Sequence, residues 1–255
     1  MIDALYIATS GLKSQQSQID TLSNNISNMQ TPGFKAKRVA FGDIATISPA
    51  QVSAGLLPES QGAGAEIIST SALFSQGQMI QTNNTWDIGI QGNGFLELVD
   101  AGGNLLYTRA GQLHVDTEGY LASVDGCRLS QHLQIPPDAS QIEIDQSGQV
   151  FGKLGGSDLK TLLGTLQLAV FPSPEGLQAV GGNHFVATQA SGDPSISGAN
   201  ENGAGSIQQG MLEGSNVDMV AEMSTLVIAQ RAYQLNARVL QASDQILDTI
   251  NNLRQ

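Results

Sequence analysis

From Leu5 to Met29 the chain repeats an unbroken alternation of three and four residues. The marked positions are Leu5, Ala8, Leu12, Gln15, Ile19, Leu22, Ile26 and Met29. That spacing keeps a seam on one side of a supercoiling helix, and it predicts a helix roughly 40 Å long. Asn28, Thr31, Pro32 and Gly33 close it, because proline disfavours helix at the preceding residue and glycine admits the turn. At the other terminus, Val220 to Leu253 contains neither Gly nor Pro. One apolar stripe runs through Ile228, Ala232, Leu235, Val239, Ala242, Ile246 and Leu253. A second runs through Leu226, Tyr233, Leu240, Leu247 and Ile250. Two adjacent stripes make a face wider than one partner needs. The expectation is that the first stripe meets the first helix and the second, through Leu240, meets further copies of the chain.

Between the helices the period changes to two. Trp86, Ile88 and Ile90 alternate with Asp87, Gly89 and Gln91. Short apolar runs follow at 95–99, 105–109, 113–116, 120–122, 142–144, 149–151 and 166–171, separated by Gly, Asp and Asn turns. These read as antiparallel hairpins, with Asn183–Ala187 as the last strand. The fold class is therefore α+β: long terminal helices forming a coiled-coil layer and a central, mostly antiparallel β-rich domain. The expected domains are 1–33 with 216–255 as the helical part, 34–82 as a connector with an extended loop or insert, 83–190 as the β-rich domain, and 191–215 as the return connector. Ser215-Asn216-Val217-Asp218 supplies helix caps ahead of the last helix. Phe34-Lys35-Ala36-Lys37-Arg38 is the densest basic run, and its simplest reading is a solvated connector.

Composition narrows the function. The 255 residues are 5% aromatic and 13% charged, low for a globular enzyme. A formal net charge of -12 leaves no basic stripe to meet phosphates, so nucleic acid is not expected as a partner. Anionic membrane surfaces are disfavoured for the same reason. The one cysteine, Cys127, cannot form an intramolecular disulfide. Met1 to Leu12 lacks the basic and continuous apolar regions of a secretory signal, and no run approaches the roughly 18 apolar residues of a membrane span.

No catalytic constellation stands out. His114, His132 and His184 have no second metal ligand at helical or hairpin spacing. Gly92-Asn93-Gly94 is followed by a strand pattern rather than the helix a dinucleotide site needs. Asp100 to Asn104 lacks the later bidentate acid of a calcium loop and reads as a hairpin turn. Among Glu97, Asp100, Asp116, Glu118 and Asp125 nothing selects a hydrolytic pair. No catalytic, metal or cofactor residue is therefore assigned, and neither a cofactor nor a small-molecule substrate is expected.

The stretch Asn24-Asn25-Ile26-Ser27-Asn28-Met29-Gln30-Thr31-Pro32-Gly33-Phe34-Lys35 resembles the N-terminal signature of the bacterial flagellar rod and hook axial family. Ala4 to Ala8 and Ser10-Gly11-Leu12 match upstream. Gly94-Phe95-Leu96, Tyr107-Thr108-Arg109 and Gly119-Tyr120-Leu121 are similar to the family's central β-region. Glu213 to Val217 and Gln230 to Asn236 resemble its closing motif. The likeness covers nearly the whole chain and is greatest to the distal rod branch. It marks Asn25, Asn28, Thr31, Gly33 and Phe34 as motif residues. It implies a structural, non-enzymatic subunit that polymerises into a helical tube serving as drive shaft and export channel. The implied setting is the flagellar basal body, reached through the flagellar export apparatus without a cleaved signal. The implied partners are copies of itself, other rod and hook subunits, and the surrounding rings. The seam residues on this reading are Leu5, Leu12, Ile19, Leu22, Ile26, Leu226, Tyr233, Leu235, Val239, Leu240, Ile246 and Leu247. A proximal rod or hook subunit is the alternative of the same class. A cell-wall hydrolase is the alternative of another, and it would need a converging acid pair in a cleft.

Overall fold

The computed structural model describes residues 2–47, 60–155 and 159–253. The described chain separates into two units. The first is drawn from Met1–Ser27, Lys37–Ser71 and Asp218–Gln255, the second from Asn28–Ala36 and Ala72–Val217.

The first unit holds two helices, α1 (Ile2–Ser27) and α2 (Met219–Leu253), and a hairpin of two long strands, β1 (Lys37–Ile47) and β2 (Ser60–Ala72). α1 ends one turn ahead of Pro32, as the sequence requires. α2 starts after Asp218, whose carboxylate accepts from the N–H groups of Val220 and Ala221 at 2.9 and 3.2 Å and so caps two otherwise unpaired donors. Small residues let the two helices approach. A side chain at Gly11 would meet the Asn236 amide at 3.0 Å, and Ala8 and Ala229 are buried. The hairpin is held to α1 by two serines one turn apart. Ser10 Oγ accepts from Ala65 N–H at 3.3 Å, and Ser14 Oγ donates to Ala65 C=O at 3.1 Å. Of the loop or insert expected within the 34–82 connector, at 48–64, residues 48–59 lie outside the described residues, while 60–64 belong to β2.

The second unit contains β3 (Met79–Gln81), β4 (Ile88–Gln91), β5 (Leu96–Val99), β6 (Leu105–Thr108), β7 (Leu113–Val115), β8 (Leu121–Ser123), β9 (Arg128–Leu129), β10 (Ala139–Ile144), β11 (Gln149–Leu154), β12 (Lys160–Thr165), β13 (Gln167–Val170), β14 (Gln178–Gly181), β15 (His184–Val186), β16 (Ser195–Gly198), β17 (Ser206–Gln209) and β18 (Met211–Glu213). A seven-stranded sheet runs β14-β15-β6-β5-β9-β8-β7, and β10-β11-β12 form a three-stranded one. The pairs β13-β16, β17-β4 and β18-β3 complete the set, and the pairings are antiparallel. Asp100 to Asn104 makes the β5–β6 hairpin turn, with Asp100 N–H donating to Asn104 C=O at 3.0 Å.

One apolar core gathers Ile88, Ile90, Leu96, Leu98, Leu121, Leu129, Val150, Leu166, Leu168 and Ile207. A second is aromatic, with Phe74, Phe95, Tyr107, Phe171 and Phe185 in edge-to-face contact. Three strands lie beyond Ala187, where the sequence pattern expected none. β16, β17 and β18 are short and set among Gly, Ser and Asn, so composition reads as loop. Burial decides otherwise: Ile207 is fully buried, and Leu212 and Glu213 nearly so.

Candidate functional site

Two features stand out, an uncovered helix face in the first unit and a buried charge knot in the second. The side of α2 that faces α1 is marked by Glu222, Ala229 and Asn236, which recur every seven residues. Asn25 Nδ2 donates to Glu222 Oε2 at 3.4 Å, Ala229 is buried, and Asn236 lies against Gly11. Leu226 and Leu240 fall at the edge of this side and are half-buried. From α1, Leu22 is buried, and Leu5, Leu12, Ile19 and Ile26 are half-buried.

The stripe through Ile228, Leu235, Val239 and Ile246 is left open, at 67%, 61%, 50% and 51% exposed. It sits roughly 100° round the helix from the α1-facing side. Arg231 and Arg238 border it and are also exposed. Tyr233 is exposed at the margin of the α1-facing side. A further open patch, Val220, Met223 and Val227, lies on the remaining face near the start of α2. The sequence gives the period of both stripes but not their phase. The stripe chosen as the outward one, through Leu226 and Leu240, is the one that lies beside α1. The reason is that Gly11 and Ala8 set where α1 can approach, and they select the Ala229–Asn236 line. The Leu247 side chain lies outside the described residues.

The motif residues hold the backbone together. Asn25 is fully buried, and its amide pairs with Lys37 in both directions, donating to C=O and accepting from N–H at 2.9 Å each. Asn28 and Thr31 form the turn after α1, with Thr31 N–H donating to Asn28 C=O at 3.1 Å and Phe34 N–H to Thr31 C=O at 3.2 Å. Gly33 has φ +71°, and a side chain there would lie 2.5 Å from Ala110 N. Phe34 is buried.

The first part of the basic run is not a solvated connector, although Arg38 at its end is exposed. Phe34, Lys35 and Ala36 are buried, and Lys35 enters a closed ion triad. Lys35 Nζ lies 2.7 Å from Glu213 Oε1, and Arg109 Nη1 lies 3.0 Å from Glu213 Oε2. All three side chains are at most 3% exposed. Lys35 also donates to Ser75 C=O at 2.8 Å and Arg109 to Gly92 C=O at 2.8 Å, while Gly77 N–H donates to Glu213 Oε1 at 2.9 Å. The Arg109 guanidinium stacks 5.2 Å from the Phe95 ring centre. Burial lowers the pKa of Lys35 and of Arg109, and Glu213 opposes both shifts. Asn216 finishes the knot, accepting from Ala36 N–H and donating to Leu73 C=O, each at 2.7 Å.

The acids that could have served hydrolysis are otherwise engaged. Glu97 accepts from Tyr107 and Ser130, Asp116 and Glu118 pair with Arg128, Asp125 meets His184, and Asp100 caps its own turn. Among the described residues no group of three His, Cys, Asp or Glu side chains could hold a metal, and no helix is long and apolar enough to cross a membrane.

Three family models match the chain. "Flagella basal body rod protein" covers 5–35, "Flagellar hook protein FlgE/F/G D1 domain" covers 89–152, and "Flagellar basal body rod FlgEFG protein C-terminal" covers 208–253. Similarity to whole proteins decides the family. The flagellar basal-body rod protein FlgG of Agrobacterium fabrum is 35% identical over 97% of this chain and 98% of its own. FlgG of Borreliella burgdorferi is 35% identical over the full length of both, and that of Caulobacter vibrioides 36% identical over 99% of this chain and all of its own. The chain belongs to the flagellar basal-body rod protein FlgG family. As a FlgG-family member it is a structural subunit of the flagellar basal-body rod. The family match at 5–35 reaches Lys35, and the match at 208–253 contains Glu213, so the knot joins the first and last matched segments.

Proposed function

We propose that this FlgG-family chain polymerises into a helical tube through the open stripe of α2, forming the distal part of the rod. The observation that carries the reading is the row Ile228, Leu235, Val239 and Ile246, half or more exposed and spaced as a coiled-coil seam. Each Leu or Ile that becomes fully buried contributes about 1.5–3 kcal/mol, so one covered stripe per neighbour holds a stiff shaft together. The separate patch at Val220, Met223 and Val227 supports contacts with a second neighbour. Two unlike faces favour a head-to-tail, open assembly over a closed dimer. The paired terminal helices would supply an inner coiled-coil layer around a channel. Other rod and hook subunits stack on the same surfaces, the surrounding rings enclose them, and the chain reaches the basal body through the export apparatus. The role is mechanical, and no catalysis is assigned. Carboxylates engaged in ion pairs and turns support that assignment over a cell-wall hydrolase. Electron microscopy of the purified chain at rising concentration tests the reading. Straight filaments support it, and a preparation that digests peptidoglycan without forming filaments refutes it.

A further inference from the structure

Glu213 is the last charged member of the knot to exist in a chain made from its N-terminus. It follows Lys35 by 178 residues and Arg109 by 104. Its neighbours in sequence are equally late and equally required. β4 pairs with β17, setting Ile90 against Ile207, and β3 pairs with β18, setting Met79 against Glu213. Ile207 is fully buried in the apolar core, and Gly33 N–H donates to Glu213 C=O at 2.7 Å. Closing the unit around Lys35 and Arg109 as they sit in the complete chain, but without Glu213, would bury two cations together with no countercharge. Arg109 Nε already lacks a partner, so the knot has no spare acceptor for the guanidinium. Uncompensated charge in a dry interior is strongly unfavourable.

We propose that the Lys35–Glu213–Arg109 knot is a completion latch: the β-rich unit stays open until residues 206–216 arrive, so a partial chain does not fold. A released chain then closes only when most of its length has emerged. The latch concerns the folding of one chain and holds whatever the α2 stripe contacts. The competing account is a unit that folds over 88–186 first and gains the late strands as a finishing layer.

Pulse-labelled amide exchange during refolding of the full chain separates the two. The latch predicts that 88–186 and 206–213 gain protection in one kinetic phase; protection of 88–186 in an earlier phase overturns it. Glu213→Gln keeps the shape and removes the charge. It is expected to lower protection across 88–186 by about 100-fold or more. Fraying confined to 206–213 in that variant also overturns the latch. Combining Lys35→Met, Arg109→Met and Glu213→Leu removes the charge conflict. Protection in the triple variant is expected within about tenfold of the parent chain. A triple variant as open as Glu213→Gln would make fit rather than charge the cause, and would sink the proposal.

Discussion

Asn25 binds Lys37 as one strand binds another: its amide donates to the Lys37 carbonyl and accepts from the Lys37 N–H, both at 2.9 Å. The side chain fixes where β1 leaves α1, and it does so with no exposure to water. Asn25→Ala leaves both Lys37 groups without partners, at a cost of about 1–3 kcal/mol. Asn25→Asp loses the donor and sets a second carboxylate beside Glu222, so it is at least as damaging at neutral pH and recovers on acidification. Denaturant midpoints at two pH values measure both.

Gly33 is needed for its backbone. With φ +71° and Ala110 N 2.5 Å from where a Cβ would stand, Gly33→Ala adds both strain and a clash. The expected loss is at least about 1–3 kcal/mol from strain alone. An unchanged thermal midpoint would show that the turn relaxes freely.

Tyr107 titrates late. Burial first, then the neighbouring Glu97 carboxylate, raises its pKa to about 12. The folded form holds its proton more tightly than the unfolded form, whose tyrosine ionises near 10. Stability from this group is therefore full below pH 10 and falls as pH rises from 10 towards 12. An ultraviolet titration should find one of the four tyrosines ionising last. Tyr107→Phe should remove that last step, and its persistence would refute the assignment.

The two sides of α2 should respond differently to charge. Leu235 is 61% exposed, so Leu235→Asp leaves monomer stability within about 0.5 kcal/mol while abolishing filaments. Leu240 is half-buried on the α1-facing side, so Leu240→Asp loosens the helix pair itself. Circular dichroism of the monomer and microscopy of the assembly read the two effects separately. Filaments from Leu235→Asp would remove that residue from the seam.

Much of this was legible in the sequence. The terminal helices, the stop after Ser27 and the β-hairpins follow from period, proline and glycine, all local signals. The phase of α2 was not legible, because which stripe α1 covers depends on Gly11 meeting Asn236 across the chain. The knot was hidden for the same reason. A lysine in a basic run ordinarily stays in water, and nothing near Lys35 announces a carboxylate 178 residues away. β17 and β18 hide behind loop-like composition until Ile207 is seen in the core.

The proposed tube depends on copies of the chain covering the open stripe. Thiol labelling tests this most directly, using Leu235→Cys in the full chain with the native Cys127, which is buried, as internal control. Fast labelling at 235 is expected in dilute monomer, with strong protection once filaments form. Labelling at 235 that stays equally fast in the filaments would contradict it.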